Sequence, residues 1–370
     1  MTKIAIIGSQ GSGRTTLASK FGKKGNVTDV TMYDFARSGI ILTATDATGY
    51  PKSIKPLVTA LNLADIALLC IPPEGPDAYT GECMVALDTL GYRHGIVVLS
   101  KSDTTYPYAL DSLRDTIKKI TAGTVLENWE YVYVSTTTFD GIEDMKGMIA
   151  TISERVDSEL AELNDFSPRV VIDHVFNVTG IGCVVLGMVT EGTIRAKDKM
   201  VVQPAGKQVE IRSIQMHDVN VTSAPAGARV GLALKSIQSK DVDRGYVISE
   251  DGDGVVATDF TLNCTISRFT QRIMVGDMLH LFSGLQATPV RVEGIAVAGT
   301  DGMGGTDEVV WTDSDHAEPG SECVLKLSGS KRLAYTRSDR FVLANLDCEK
   351  QRFVGYGFSE SIPLTPQPNN

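Results

Sequence analysis

No apolar run in this chain of 370 residues is long enough to cross a bilayer, and no secretory leader opens it, since residues 3–7 already read as a strand. The cytoplasm is therefore the expected compartment. The six cysteines, Cys70, Cys83, Cys183, Cys264, Cys323 and Cys348, form no CxxC pair and have no zinc-like spacing with nearby histidines. Several stand inside apolar stretches, as Cys70 does in Leu68-Leu69-Cys70-Ile71, and so read as buried free thiols of a reducing compartment. Positive charge is also short: 35 Lys and Arg face 45 Asp and Glu, for a net charge of −10. That balance argues against coating DNA, RNA or a membrane by bulk electrostatics, although a local basic groove remains compatible with it. Paired carboxylates for glycosidic chemistry, a nucleophile triad, a metal cluster and a tandem repeat are all missing from the pattern.

What remains is an ordinary globular composition, 42% hydrophobic and 22% charged, with 35 glycines for tight turns. The length admits two or three domains. Two textures meet near residue 165. Upstream, short β-like runs at 4–7, 30–35, 40–45, 66–71, 95–99 and 131–134 alternate with helical periodicity over 15–21, 54–63, 81–90, 110–120 and 142–158. Such alternation predicts βα units around a mostly parallel sheet, with ligands at the carboxyl ends of the strands. After a linker at 164–168 the pattern becomes all-β, with strands expected over 170–176, 182–190, 199–204, 208–217 and 229–234. A second boundary falls near 250–254, followed by strands over 258–267, 278–282, 286–297, 322–327 and 341–346. The expected architecture is multidomain α/β plus all-β: a doubly wound P-loop domain over 1–163, then β-barrels over 168–250 and 251–360. The glycine-rich stretch 299–305 reads as a flexible loop and the proline-rich tail 362–370 as frayed.

The sharpest local signal is Gly8-Ser9-Gln10-Gly11-Ser12-Gly13-Arg14-Thr15, which follows a strand and opens a helix. It fits GxxxxGK[ST] except that Arg14 stands in the lysine's place. Glycines let such a loop wrap a phosphate with backbone N–H groups, and Thr15 is placed to offer its hydroxyl to Mg²⁺. Alone, the run reads equally as a tight strand-to-helix turn with no ligand. Three more fragments follow at strand ends, in order. Asp46-Ala47-Thr48-Gly49 fits DxxG, in which the aspartate supports Mg²⁺ and the glycine N–H meets a γ-phosphate. Ser100-Lys101-Ser102-Asp103 fits NKxD with serine for asparagine; Asp103 would accept two hydrogen bonds from a guanine edge, and Lys101 would lie along the base. Ser135-Thr136-Thr137 stands at the place of the last base-contacting loop.

With these four fragments in order, the first domain resembles the G domain of the elongation factor Tu family. The resemblance implies a GTP/GDP site formed by Gly8, Ser12, Gly13, Arg14, Thr15, Thr16, Asp46, Gly49, Ser100, Lys101, Asp103, Ser135 and Thr136, with Mg²⁺ on Thr15 and Asp46. The departures are as informative. A planar guanidinium at Arg14 does not simply replace a compact ammonium. Tyr50 stands where the family carries the histidine that orients the attacking water, and a phenol with a pKa near ~10 is a poor substitute. Ser100 lacks the amide that braces the loop. The segment 21–28 is too short for the family's effector loop, with Thr28 as a candidate remnant of its metal-binding threonine. Weak or absent GTP hydrolysis is the expectation.

The second half sharpens the resemblance. Ile172-Asp173-His174-Val175-Phe176, then Gly180-Ile181-Gly182 and Thr190-Glu191-Gly192, place alternating core residues between glycines where a small barrel must bend. These strings resemble domain two of translational GTPases, and of SelB in particular. An archaeal SelB paralogue of this build has been labelled a candidate factor for pyrrolysyl-tRNA. The resemblance implies aminoacyl-tRNA and the ribosome as partners, with an aminoacyl pocket at Asp173, His174 and Arg229. A surface salt bridge remains the alternative for Arg229, and a half-exposed strand residue the alternative for His174. A pocket for an ionised selenol would prefer two fixed cations, and a histidine is not one, so selenocysteine is a doubtful cargo. The mRNA-hairpin domain of SelB is expected to be absent. A pseudo-GTPase scaffold that binds RNA or protein without a nucleotide switch is the competing reading.

Overall fold

The computed structural model describes residues 1–37, 40–299 and 310–359; the stretch 300–305 and the tail 362–370 lie outside them. The first region builds one seven-stranded sheet from β1 (Thr2–Ile7), β2 (Lys23–Val27), β3 (Thr31–Arg37), β4 (Ile40–Asp46), β5 (Ile66–Ile71), β6 (Gly95–Ser100) and β7 (Glu130–Val134). The order is β2-β3-β4-β1-β5-β6-β7, parallel from β4 to β7 and antiparallel at the β2–β3–β4 edge. β5 and β6 are buried throughout, which is why they read as continuous apolar runs and not as alternating ones.

Five helices cover this sheet: α1 (Arg14–Ala18), α2 (Lys55–Asn62), α3 (Ala78–Leu90), α4 (Pro107–Thr121) and α5 (Ile142–Glu162). Alternate residues of the strands feed two cores. Ile7, Leu69 and Val97 pack with Leu57, Leu87 and Ile117, while Ile6, Leu68 and Val98 pack with Leu17, Met145 and Ile149. α3 starts where Asp77 accepts the Thr80 N–H at 2.7 Å, a cap that contributes about 1 kcal/mol, and stops where Gly91 takes a left-handed conformation.

Beyond the 3₁₀ turn Leu163–Asp165, two antiparallel sheets each close into a six-stranded β-barrel with one further strand attached. The second barrel packs on the first region, since Phe282, Val342 and Phe353 belong to the core that includes Leu57 and Leu87. Arg169 of the first barrel makes a bidentate pair with Asp339 of the second at 2.7 and 2.6 Å. Three local expectations need correction. The helix expected over 15–21 is a single short turn, α1. Within the segment 21–28, Lys23–Val27 pairs as an edge strand on β3. The strand Phe353–Ser359, unassigned from sequence, completes the second barrel. No helix among the described residues is long and apolar enough to cross a membrane.

Candidate functional site

The loop after β1 has the glycine-dependent conformation that its motif predicts. Gly8, Gly11 and Gly13 all have positive φ, and a Cβ on Gly8 would come within 2.5 Å of the Cys70 carbonyl, so only glycine fits there. The Ser12 hydroxyl is fully buried and has no hydrogen-bond partner, as expected of a group shaped for a ligand. Ser100 replaces the missing asparagine in kind: its hydroxyl donates to the Ser12 carbonyl at 2.6 Å and so still braces the loop from β6.

Arg14 departs most from a phosphate-binding lysine. Its guanidinium is buried, donates to the Gly8 carbonyl at 2.7 Å and the Tyr50 carbonyl at 2.6 Å, and sets Nε 3.2 Å from Asp46 Oδ1. Asp46 Oδ2 accepts the Thr15 hydroxyl at 2.7 Å. Burial pushes the Asp46 carboxyl above its usual range, and the Thr15 hydrogen bond and Arg14 charge only partly offset it. Asp46 Oδ1 makes no hydrogen bond, so it is compensated by charge only, chiefly that of Arg14 with a smaller share from Lys24. Thr15 and Asp46 are therefore adjacent, as expected of metal ligands, yet both are committed to protein partners. Thr28 is exposed and donates its hydroxyl to the Val30 carbonyl, away from them. Among the described residues no group of three His, Cys, Asp or Glu could hold a metal ion. This donor set does not fit Mg²⁺ unless Arg14 moves.

The DxxG glycine is also engaged from within. The Gly49 N–H donates to the Asp29 carbonyl at 2.7 Å, and Asp29 in turn meets Arg244 of the first barrel at 3.5 Å. Tyr50 is only 2% exposed, and its hydroxyl donates to the Tyr79 carbonyl at 2.7 Å and contacts Glu82 at 2.9 Å. Glu82 is clasped by Arg352 of the second barrel, with Nε at 2.8 Å and a terminal nitrogen at 2.6 Å. Burial first, then the neighbouring Cys83 and Glu82, push the phenol far above its ordinary value, so it stays protonated.

The loops after β6 and β7 are more open. Lys101 adopts a left-handed conformation that opens a 3₁₀ turn, Ser102–Thr104, and leaves Asp103 exposed. In the neighbouring loop, buried Ser135 accepts the Thr137 and Thr138 N–H groups at 3.2 and 3.0 Å, while Thr136 is half-buried beside it. Thr16 is exposed on α1. All the fragments singled out in the first region thus meet at the carboxyl edge of the sheet. Sequence reasoning missed Asp29, Glu82, Arg244 and Arg352. Only Glu82 carried a signal, as an acidic residue beside the apolar stretch Cys83-Met84-Val85, which needs a partner once buried.

In the first barrel the strand Arg169–Val178 shifts register between Ile172 and His174. Such a bulge re-aims side chains, and here the neighbours Asp173 and His174 approach to 3.1 Å between Oδ1 and Nδ1. Arg229, from the strand Arg229–Lys235, sets a terminal nitrogen 2.7 Å from Asp173 Oδ2. Burial raises the Asp173 carboxyl, but the His174 hydrogen bond, Arg229 and Arg244 outweigh it and hold it below its usual range. Arg229 also lines a cleft of about 360 Å³ shared by the barrel and strands β3 and β4.

Residues 182–249 match the family described as elongation factor Tu domain 2. An uncharacterized protein of Methanocaldococcus jannaschii is 30% identical over 342 residues, covering 92% of this chain and 95% of that protein. The selenocysteine-specific elongation factor of the same organism is 26% identical over 92% of this chain and 72% of its own length. The crystal structure of SelB from Methanococcus maripaludis in complex with the GTP analogue GppNHp superposes with a TM-score of 0.84 at 24% identity, covering 97% of this chain and 79% of that one. Sequence and architecture together make the chain a SelB-like member of the elongation factor Tu/SelB family of translational GTPases.

Proposed function

We propose that the chain is an elongation factor that carries an aminoacyl-tRNA to the ribosome and holds guanine nucleotide at the carboxyl edge of its sheet, with impaired GTP hydrolysis. The observation that carries the impairment is the engagement of Tyr50: its phenol is turned to Tyr79 and Glu82, and burial keeps it protonated. A positioned acid–base group typically supplies about 10²–10⁴-fold in rate, so losing it predicts slow turnover. Binding is supported by the glycine-shaped loop, the unpartnered Ser12 hydroxyl and the exposed Asp103. An aminoacyl end would dock against Asp173, His174 and Arg229 beside the cleft under the first barrel. The similarity to elongation factors specific for selenocysteine supports the same class of function.

Titration of the protein with GTP, GDP and ATP tests the nucleotide half. Guanine preference that disappears in Asp103→Ala is the expected result, with folding stability changed by no more than about 0.5 kcal/mol because the side chain is exposed. Equal binding of ATP and GTP by the unaltered protein would reject the base site. A second reading, the scaffold without a switch, is favoured by the Gly49 N–H bound to Asp29 and by Arg14 turned inward. Filter binding of aminoacyl-tRNA with and without a non-hydrolysable GTP analogue separates the two. Affinity that rises with the analogue supports the carrier, and identical affinities leave the scaffold.

A further inference from the structure

We infer that the Arg14 guanidinium takes over the charge of the family's divalent cation, so that guanine nucleotide binds this chain without Mg²⁺. The inference rests on the nucleotide-binding reading above and goes beyond it in naming what neutralises the phosphates. Mg²⁺ demands near-octahedral oxygen ligands at about 2.0–2.1 Å and gives up its waters reluctantly. Here Asp46 Oδ1 already faces Arg14 Nε at 3.2 Å, and Asp46 Oδ2 is spent on the Thr15 hydroxyl at 2.7 Å. The guanidinium is not free to swing aside, because the Gly8 and Tyr50 carbonyls hold its two terminal nitrogens at 2.7 and 2.6 Å. A dication at Asp46 would have to displace a cation anchored on two separate segments and then sit beside it, at a like-charge cost that a buried site magnifies. Each terminal nitrogen of a guanidinium carries two N–H groups, and each here donates only one to a carbonyl, which leaves donors for phosphate oxygens. The same planar fork that makes arginine a poor mimic of the loop lysine lets it bridge two backbone segments and an anion at once.

Fluorescent GTP titrated into the full chain in excess EDTA and in excess Mg²⁺ tests the inference. Equal affinities, within about twofold, are expected, whereas tightening of about tenfold or more by Mg²⁺ would overturn it. Arg14→Lys keeps the charge but cannot hold both carbonyls and Asp46 together, and it should acquire the Mg²⁺ dependence that the unaltered protein lacks. Direct Mn²⁺ titration, read by the electron paramagnetic resonance of free Mn²⁺, decides the question in the absence of nucleotide. No Mn²⁺ should bind at this site, and binding that Asp46→Asn removes would refute the inference. If GTP binds under neither condition, the nucleotide-binding proposal fails on its own account, while the Mn²⁺ result still tells whether Arg14 has displaced the metal.

Discussion

Two aspartates of this molecule are buried against arginines, and they respond in opposite ways. Asp46, at the end of β4, meets the edge of Arg14 at 3.2 Å and the Thr15 hydroxyl, and its carboxyl rises because burial dominates. Asp173, in the bulged strand of the first barrel, is equally enclosed, but His174 and Arg229 meet its two oxygens, with Arg244 nearby, and its carboxyl falls. The difference lies in how much of each cation the carboxylate receives. Each carboxylate has one hydrogen bond, Asp46 from Thr15 and Asp173 from His174, and neither Asp46 Oδ1 nor Asp173 Oδ2 is hydrogen-bonded by its arginine. What differs is charge, since Arg229 stands 2.7 Å from Asp173 with Arg244 beside it, while Arg14 stands 3.2 Å from Asp46. An incompletely compensated buried charge is the mark of a site shaped for a ligand, and a compensated one is typical of a structural ion pair. By that criterion the sheet edge at Asp46 is the better candidate for a ligand, and Arg14 covers it.

The largest effect should come from breaking the poorer pair. Arg14→Met leaves Asp46 buried without a cation and should cost about 3–5 kcal/mol at neutral pH, measured by urea denaturation. Part of that loss should return on mild acidification, since the raised carboxyl protonates readily once Arg14 is gone. The double variant Arg14→Met with Asp46→Leu should recover most of it, because no unpaired charge remains. A cost below about 1 kcal/mol for the single variant would mean that water reaches Asp46, and the contrast between the sites would collapse.

Arg229→Ala should cost less, about 1–3 kcal/mol, because His174 and Arg244 stay in place and Arg229 is partly solvent-facing. If Arg229 serves the aminoacyl pocket, the same variant should weaken tRNA binding by more than its stability cost explains. Measuring both quantities on one protein separates a pocket residue from a structural ion pair.

Much of this contrast lies beyond what sequence can show. The alternation of β-like and helical runs foretold the sheet and five helices, and the strings around Gly182 and Gly192 foretold the barrel strands. Those features are local: periodicity, glycines at forced turns and motif order at strand ends. The direction of the Arg14 side chain is not local. It depends on the Tyr50 carbonyl, 36 residues away, and on a Tyr50 ring held by Glu82 and Arg352, the latter 270 residues beyond its partner. Lys23–Val27 was likewise illegible as a strand, because Lys23-Lys24-Gly25-Asn26 carries no apolar alternation and only pairing with β3 organises it. At Asp173 the motif named the residues, but the bulge that brings Asp173 and His174 together is a property of strand pairing, not of composition.

The smallest effect, and the one that tests the contrast directly, is its pH dependence. For Asp173 the folded carboxyl titrates below the unfolded one, so its stabilisation is complete above the ordinary aspartate range and is lost as pH falls through the folded value. For Asp46 the folded carboxyl titrates above the unfolded one, so its contribution is complete in acid and is lost as pH rises through the folded value. Asparagine at either position removes the titrating group and flattens that contribution. Stability curves for the unaltered protein and the two variants, taken from neutral pH downward, should therefore diverge in opposite senses. The unaltered protein should gain on Asp46→Asn first, as Asp46 takes up its proton, and should lose ground to Asp173→Asn only at lower pH. Parallel curves would show that both aspartates are compensated alike, and Arg14 would then have to be read as a structural cation.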